Sequence, residues 1–587
     1  MKKYLFLAIA ALGFAACSDS DLNGGKDPIH KGEIEESYIA INLSASDITR
    51  AEGGIYQEGD ANERAVANAH FFFFKDGQPF TVNATNAPAT APGGGVNHLT
   101  ATLSGSTDGM DNVSDIKDVV LLLSTYKGEY PNQIVAVLNW NPDLDKSYSL
   151  ADLETAMENI SVSYAENGTS TTYFTMSNAV YANNVNNAMK ATALTADNIK
   201  SSEVDAKAAP VKIYVERLAA KVTVTTADGS TKFKLNKKAT VDDQEVDVYA
   251  HILGWELYND NTQSYLLKHI DSSWVNSSDF SDPKNVGFNW NDQAWFRSYW
   301  ATSMDRPNGD SNTFKMTYTD AEKTANGFAT EYGFNIGNKT NVDNGTYSAG
   351  SFTYIGENTN GQAKGTKVIL KAKLGNEAGN AIEIGLWNGV QYVGNLDLRT
   401  AVANTMKYTL YSKEGNNYVG LKPEDLECVA GGTADAPTGV KVNEVYFQLS
   451  TVGQGKDWYK LVSGNYAPVA ANVNTDNNSK DATNLYLASN IQPAVLYTNG
   501  ETFYYVDIKH LGAPTSLGEY GVVRNHIYDV LIKTIGGYGS PIYVGTSNLI
   551  TPQYPETPEE EESYVAAQIN ILSWRLVNQG VDIQPNN

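Results

Sequence analysis

Two residues near the start of the chain carry chemistry that their surroundings make legible, Cys17 and Arg50. Cys17 follows Phe14, Ala15 and Ala16, and small residues before a cysteine are what a lipoprotein peptidase needs for a close fit. Phe14 stands where leucine is usual. Lys2 and Lys3 supply the charged start of an export signal, and residues 4–14 form an apolar run too short to span a bilayer. Fatty acylation of Cys17 (palmitate or a similar chain) would hold the chain at a membrane without a transmembrane helix. The alternative is an ordinary secretory peptide with an incidental cysteine. Arg50 sits between Thr49 and Ala51, just past a strand-forming run, and reads as a processing site. A cut between Arg50 and Ala51 removes everything upstream, lipid anchor included.

Other reactive residue types do not converge. Seven histidines at 30, 70, 98, 251, 269, 510 and 526 lack the i, i+4 pairing of a helical zinc site, and His70 and His526 read as structural. Ser124 and Lys127 match a Ser-x-x-Lys acyltransferase pattern without its companion motifs. Gly536 to Gly539 is glycine-rich but lacks the strand–turn–helix context of a phosphate cradle. Residues 305–312 offer oxygen ligands short of a full calcium loop. With Cys17 acylated, Cys428 has no disulfide partner and reads as a small buried hydrophobe. The sequence therefore predicts no enzyme, no metal and no cofactor.

The elements that must position Cys17 and Arg50 are strands. The chain has 587 residues, a net charge of −24 and 35 tyrosines. The length leaves room for at least two substantial cores. The charge opposes binding to nucleic acid, whose phosphates it repels. Asn, Gly and Asp clusters punctuate short apolar runs, the pattern of an all-β sandwich protein with long connections. Residues 61–69 read as a short helix and Phe71 to Phe74 as a strand buried on both faces. Further strands are expected over 118–124, 133–139, 173–178 and 211–224, with helical spacing over 150–160. In the second half strands are expected over 251–257, 367–374, 444–449, 502–508 and 525–532.

Between the two processing sites lies a further alternating run, residues 38–44, with Ile39, Ile41 and Leu43 on one face. A cut after Arg50 discards this strand, and a fold that loses a core strand needs a replacement. Residues 552–563 are acidic and proline-rich, cannot join a central strand, and read as an extended linker. Beyond them lies a last strand-forming segment with Ile569, Ile571, Leu572, Trp574, Leu576, Val577, Val581 and Ile583. Its alternation switches register near Ile571 and Leu572, which suggests a bulge or bend. It reads either as an edge strand on its own sheet or as a donor for a neighbour's vacated groove. The organisation expected is a signal peptide over 1–16, a propeptide over 17–50, and β-domains over 51–230 and 231–551. The linker over 552–563 and the donor segment over 564–587 complete it.

The lipidation site, the Thr49–Arg50–Ala51 cleavage point and a series of segments together resemble the Bacteroides-type fimbrillins, or type V pilins, especially the short-fimbria major subunits. The segments are 214–222 (YVERLAAKV), 254–257 (GWEL), 264–268 (SYLLK), 296–301 (FRSYWA), 354–359 (YIGENT), 520–528 (YGVVRNHIY) and 569–574 (INILSW). The resemblance covers nearly the whole chain. It implies two transthyretin-like β-sandwich domains in tandem and export as an outer-membrane lipoprotein. It also implies cleavage by an Arg-specific protease and donor-strand exchange into a surface fimbrium that supports adhesion. Its partners would be further copies of itself and the anchor and tip subunits of the fimbrium. Head-to-tail strand exchange does not close on itself, so it yields filaments. Arg64 is a competing cleavage site, disfavoured by the helix expected around it. The alternative function is a fimbrial tip or accessory adhesin, or a monomeric glycan-binding surface lipoprotein.

Overall fold

The computed structural model describes residues 34–44, most of 63–270, 296–304, 314–315, most of 352–541, 565–572 and 576–579. Its elements are mostly β-strands with a few short helices, and among the described residues no helix is long and apolar enough to cross a membrane.

The principal strands of the first core, numbered in chain order, begin with β1 (Ile34–Ser44), β2 (Asn68–Lys75), β3 (Lys117–Tyr126) and β4 (Gln133–Leu138). They continue with β5 (Met176–Asn178), β6 (Ile199–Lys200) and β7 (Val211–Arg217). Hydrogen bonding runs β6–β1–β7–β5–β4–β2, with β3 on the other edge of β1. One cluster gathers Ile39, Leu121, Leu123, Ile213 and Val215 with Phe71 to Phe74 and Ile134 to Leu138. This sheet therefore folds over its own core. Phe71, Phe72, Phe73 and Phe74 are all fully buried, so β2 is covered on both faces. The helix expected over 61–69 gives way to strand from Asn68, because Asn68 and Ala69 pair with Thr102 and Ala101. The helical spacing over 150–160 yields a shorter helix, Leu150–Thr155, closed at its start by a Ser149–Asp152 capping box, then a strand from Met157.

The second core is a sandwich. Its strands are β8 (Ala220–Thr226), β9 (Lys232–Val241), β10 (Gln244–Tyr258), β11 (Phe352–Ile355), β12 (Lys367–Gly375), β13 (Glu501–Asp507) and β14 (Ile527–Ile535). The terminal strands β15 (Val565–Leu572) and β16 (Leu576–Gln579) join one of its sheets, ordered β11–β8–β14–β15–β16. The other sheet is ordered β9–β10–β12–β13. Val222, Val224, Tyr528, Val530 and Ile532 from the first meet Val248, Ala250, Val368, Leu370, Tyr504 and Val506 from the second. Only Leu218 and Ala219 separate β7 from β8, so one nearly continuous strand passes from core to core. The changeover falls at Ala219–Ala220, and Leu266 and Leu267 return to the first core.

A third apolar cluster lies in the connection between β12 and β13. Trp387, Leu398, Val402, Phe447, Trp458 and Leu487 form its centre, with helices Asn395–Met406 and Asp476–Asn490 and several small antiparallel sheets around them. The strand expected over 444–449 belongs to this module, whose existence the sequence pattern does not disclose.

Candidate functional site

The position of β1 is the feature with functional consequence. On one edge it pairs antiparallel with β3 over ten residues, from Ile34↔Tyr126 to Leu43↔Lys117. On the other it meets β6 at Tyr38↔Lys200 and Ile39↔Ile199, then runs parallel to β7 from Ile41↔Val211 to Ser44↔Tyr214. It is an interior strand bonded on both edges. Ile39 is fully buried in the first core, and its neighbour Ala40, pointing to the opposite face, is buried too. The short helix Glu203–Ala208 lies against β1, with Ala206 buried. Burying an isoleucine side chain contributes about 1.5–3 kcal/mol. Ile41 and Leu43 hold register positions opposite Val119 and Lys117. Withdrawal of β1 would strip hydrogen-bond partners from β3 and β7 together and open an apolar slot between them, an edge that recruits a strand.

The described part of the C-terminal segment forms a hairpin. β15 pairs antiparallel with β14, with Ile569 opposite Val530, Ile571 opposite Tyr528 and Leu572 opposite Ile527. β16 pairs back on β15, with Leu576 opposite Leu572 and Val577 opposite Ile571. The two alternating registers in the sequence therefore belong to two strands rather than to one bent strand. In the single chain this hairpin docks on its own sheet as an edge element. Trp574, Val581 and Ile583 lie outside the described residues, as do Cys17, Arg50, Ala51 and the linker.

Thirteen residues past Arg50 the chain is moored at the junction of the two cores. The buried Glu63 carboxylate receives Lys221 Nζ at 2.8 Å and the Tyr354 hydroxyl, while its carbonyl accepts from Arg217 Nε. Glu63 itself lies in a 3-10 turn and Ala65 and Val66 are not helical, while Arg64, like Arg50, lies outside the described residues. Around this mooring lie further buried charges. Lys268 Nζ contacts Glu216 at 2.9 Å and donates to Ser298 O at 2.9 Å. The Arg524 guanidinium contacts Glu357 at 2.6 Å and donates to Leu266 O at 3.2 Å.

The residues with possible chemistry elsewhere have structural partners. His70 bonds Trp140 O at 2.9 Å and Thr100 Oγ1 at 3.0 Å, and burial lowers its pKa to about 4. His510, fully buried, is lowered to about 3 by the same cause and bonds the Tyr528 hydroxyl and Tyr299 O. His526 Nδ1 bonds Arg524 O at 2.8 Å. Ser124 lies inside β3 and opens no helix. In the Gly536–Gly539 loop, carbonyls accept hydrogen bonds from Tyr504, Thr502 and Tyr497, a polarity opposite to that of an anion cradle. Cys428 packs against the third core, and desolvation pushes its thiol up to about 12. The calcium-like residues 305–312 lie outside the described residues, among which no group of three or more His, Cys, Asp or Glu gathers.

Residues 495–580 match the family described as major fimbrial subunit protein type IV, fimbrillin, C-terminal. The match spans β13, β14, β15 and β16, the strands that carry and receive the terminal hairpin. No curated protein sequence matches the chain. Among solved structures, a fimbrilin from Porphyromonas gingivalis aligns at 10% identity and TM-score 0.34, over 92% of this chain and 98% of that one. The tip fimbrial protein of the same organism, with a C-terminal truncation, aligns at 12% identity and TM-score 0.25, over 91% and 99%. A candidate cell adhesion protein from Parabacteroides distasonis aligns at 12% identity and TM-score 0.33, over 92% and 98%. These whole-chain alignments are loose, so the family match carries the comparison: residues 495–580 are similar to the C-terminal region of fimbrillins, consistent with a fimbrillin-type family.

Proposed function

We propose that this chain, fimbrillin-like in its C-terminal region, is a structural subunit of a cell-surface fimbrium. It is exported as a lipoprotein anchored through Cys17 to the outer membrane, cut between Arg50 and Ala51 by an Arg-specific protease, and polymerised by donor-strand exchange. Its body is two transthyretin-like sandwiches, and the assembled fibre supports adhesion together with anchor and tip subunits.

The observation that carries this reading is the interior position of β1, paired along both edges and upstream of the cut. While β1 is seated, no foreign strand can enter between β3 and β7. Cutting after Arg50 turns an intramolecular strand into a separate peptide and severs the lipid anchor in the same step. The vacated slot then accepts the C-terminal segment of another copy, with Ile569, Ile571, Leu572, Trp574, Leu576, Val577, Val581 and Ile583 supplying apolar residues. That segment must first leave β14, where it rests as an edge hairpin.

The test treats purified precursor with an Arg-specific protease and resolves the product on a gel without boiling. Ladders of multiples are expected from the cut protein, and none from an Arg50→Ala precursor or a chain truncated after Ser563. A cut protein that stays monomeric, or a truncated one that still forms ladders, overturns the mechanism.

A further inference from the structure

In both cores a strand runs parallel to the crossing strand. β1 lies parallel to β7, and β14 lies parallel to β8 over six pairs, from Lys221↔Ile527 to Thr226↔Ile532. A pull on β7 toward the first core reaches β8 through two residues of backbone, at Ala220, the first residue of β8. The chain runs on to the C-terminal linker from the opposite end of this ladder, because β14 shares the direction of β8 and finishes at Ile535. Tension between the first core and the C-terminal linker therefore drags β8 and β14 in opposite senses along their common axis.

We propose that the β8–β14 pair is the force-bearing clamp of the subunit. Its role in a fibre rests on the function proposed above. In this geometry the six pairs are loaded together rather than peeled singly, and each ladder bond must stretch before any is lost. The proximal end of the ladder is pinned. Lys221 N donates to His526 O at 2.9 Å, Asn525 N to Ala219 O at 2.7 Å, and Arg217 Nη1 to Asn525 Oδ1 at 3.2 Å. Arg524, fully buried, adds its contact with Glu357, and in a dry site water cannot substitute for partners as they separate. A cross-strand bond from Thr223 Oγ1 to Asp529 Oδ1 at 2.9 Å ties the middle.

The tail beyond β14 has a weaker mooring that would give way first. Ser540 and Pro541 pair with Phe503 and Thr502 on β13, and Tyr504 and Thr502 donate to carbonyls of Gly537 and Tyr538. The third core lies off the path, since its ends enter and leave through neighbouring strands β12 and β13. Opening the clamp brings the chain between Thr226 and Ile527 under load, the third core included, roughly 300 residues that would span on the order of 1,000 Å once fully unfolded and extended.

The test is single-molecule pulling of the full chain, with Cys17 and Cys428 replaced by serine and click-reactive residues as handles. Handles at Lys207, an exposed position just ahead of β7, and Thr551 load the pair in shear. Handles at Ser230 and Thr551 load the same pair by peeling, from its distal end. The shear geometry is expected to rupture at about twofold higher force or more, since its six bonds fail together. A Thr223→Cys/Asp529→Cys disulfide should abolish the long release in shear until it is reduced. Equal forces in the two geometries, or a long release that survives the disulfide, overturn the clamp. Ladders on the unboiled gel decide the fibre reading separately. Ladders with equal pulling forces leave the subunit and remove the clamp; a resistant clamp without ladders removes its role in a fibre.

Discussion

Replacing Ile39 by alanine isolates what the seat of β1 contributes. Ile39 is fully buried, with Leu121 opposite it on one edge and Ile199 on the other, in the cluster that contains Leu123 and Ile213. Truncation removes three carbons from a close-packed site, a change that costs about 2–5 kcal/mol. In the uncut chain this lowers the stability of the first core. After a cut at Arg50 the same free energy weakens the hold on a separate peptide. At about 1.4 kcal/mol per tenfold, that is a dissociation constant about 30- to 4,000-fold larger. The assay labels the segment upstream of Arg50, cleaves, and follows peptide release by fluorescence anisotropy. Leu122→Ala is the control, because Leu122 is next to Leu121 but 38% exposed. A surface change of about 0.5 kcal/mol moves release about twofold. Identical release from wild type and Ile39→Ala, or an equal acceleration by Leu122→Ala, would refute the seat as described.

Three further outcomes are expected. His70 has a folded pKa of about 4 against 6.5 in the unfolded chain, so between pH 6.5 and about 4 only the unfolded state takes up its proton. Its stabilisation is complete above pH 6.5 and falls toward pH 4, by on the order of 3 kcal/mol; thermal melts of His70→Gln should lose that part of the acid sensitivity, and unchanged pH dependence refutes it. Lys268→Met strands the buried Glu216 carboxylate and should cost about 3–5 kcal/mol. Adding Glu216→Gln should recover much of that in urea titrations, and no recovery would mean that the pair is not the cause. Gly539 has φ +75°, and a Cβ there would lie 2.5 Å from Thr502 Oγ1 and 2.6 Å from Phe503 O. Gly539→Ala should therefore cost at least about 1–3 kcal/mol in the second core, and a neutral result would remove that close approach.

What the sequence disclosed and what it withheld divide by the range of the interactions. Phe71 to Phe74, the alternation over Ile39 and its neighbours, and the Val211 to Val224 run are local patterns; the first two are strands in the structure, and the third is two, β7 and β8, parted at Leu218 and Ala219. That β1 is interior was not legible, because its partners lie about 75 to 170 residues away in sequence and periodicity carries no partner identity. The third core was missed for a related reason. Its helices Asn395–Met406 and Asp476–Asn490 have weak apolar faces, with Leu396 and Leu485 exposed, and its strands are three to five residues long. The junction charges read individually as ordinary surface residues; only the fold brings Glu216, Lys268, Glu357 and Arg524 together inside. The register switch at Ile571 and Leu572 was visible, but separating a bend from a hairpin required the pairing of Leu572 with Leu576.

The two strands that must move on the proposed assembly route are held unequally, and the inequality accounts for the need for a protease. β1 is bonded along both edges, with Ile39 and Ala40 buried on opposite faces. Leaving while still joined to the chain means breaking both ladders and opening the core at once, a cost comparable to unfolding the domain. Spontaneous exchange of β1 is therefore slow, and a covalent cut that lets the peptide diffuse away is the step that makes it irreversible. The β15–β16 hairpin is hydrogen-bonded to the body along one ladder, to β14, and also lies against β13. Its departure strips one edge only and needs no cut. A chain with these positions reversed, an interior donor and a peripheral plug, would be blocked from donating and prone to assembling before export. On the proposed route this order would put the irreversible chemistry at the strand whose loss must be controlled.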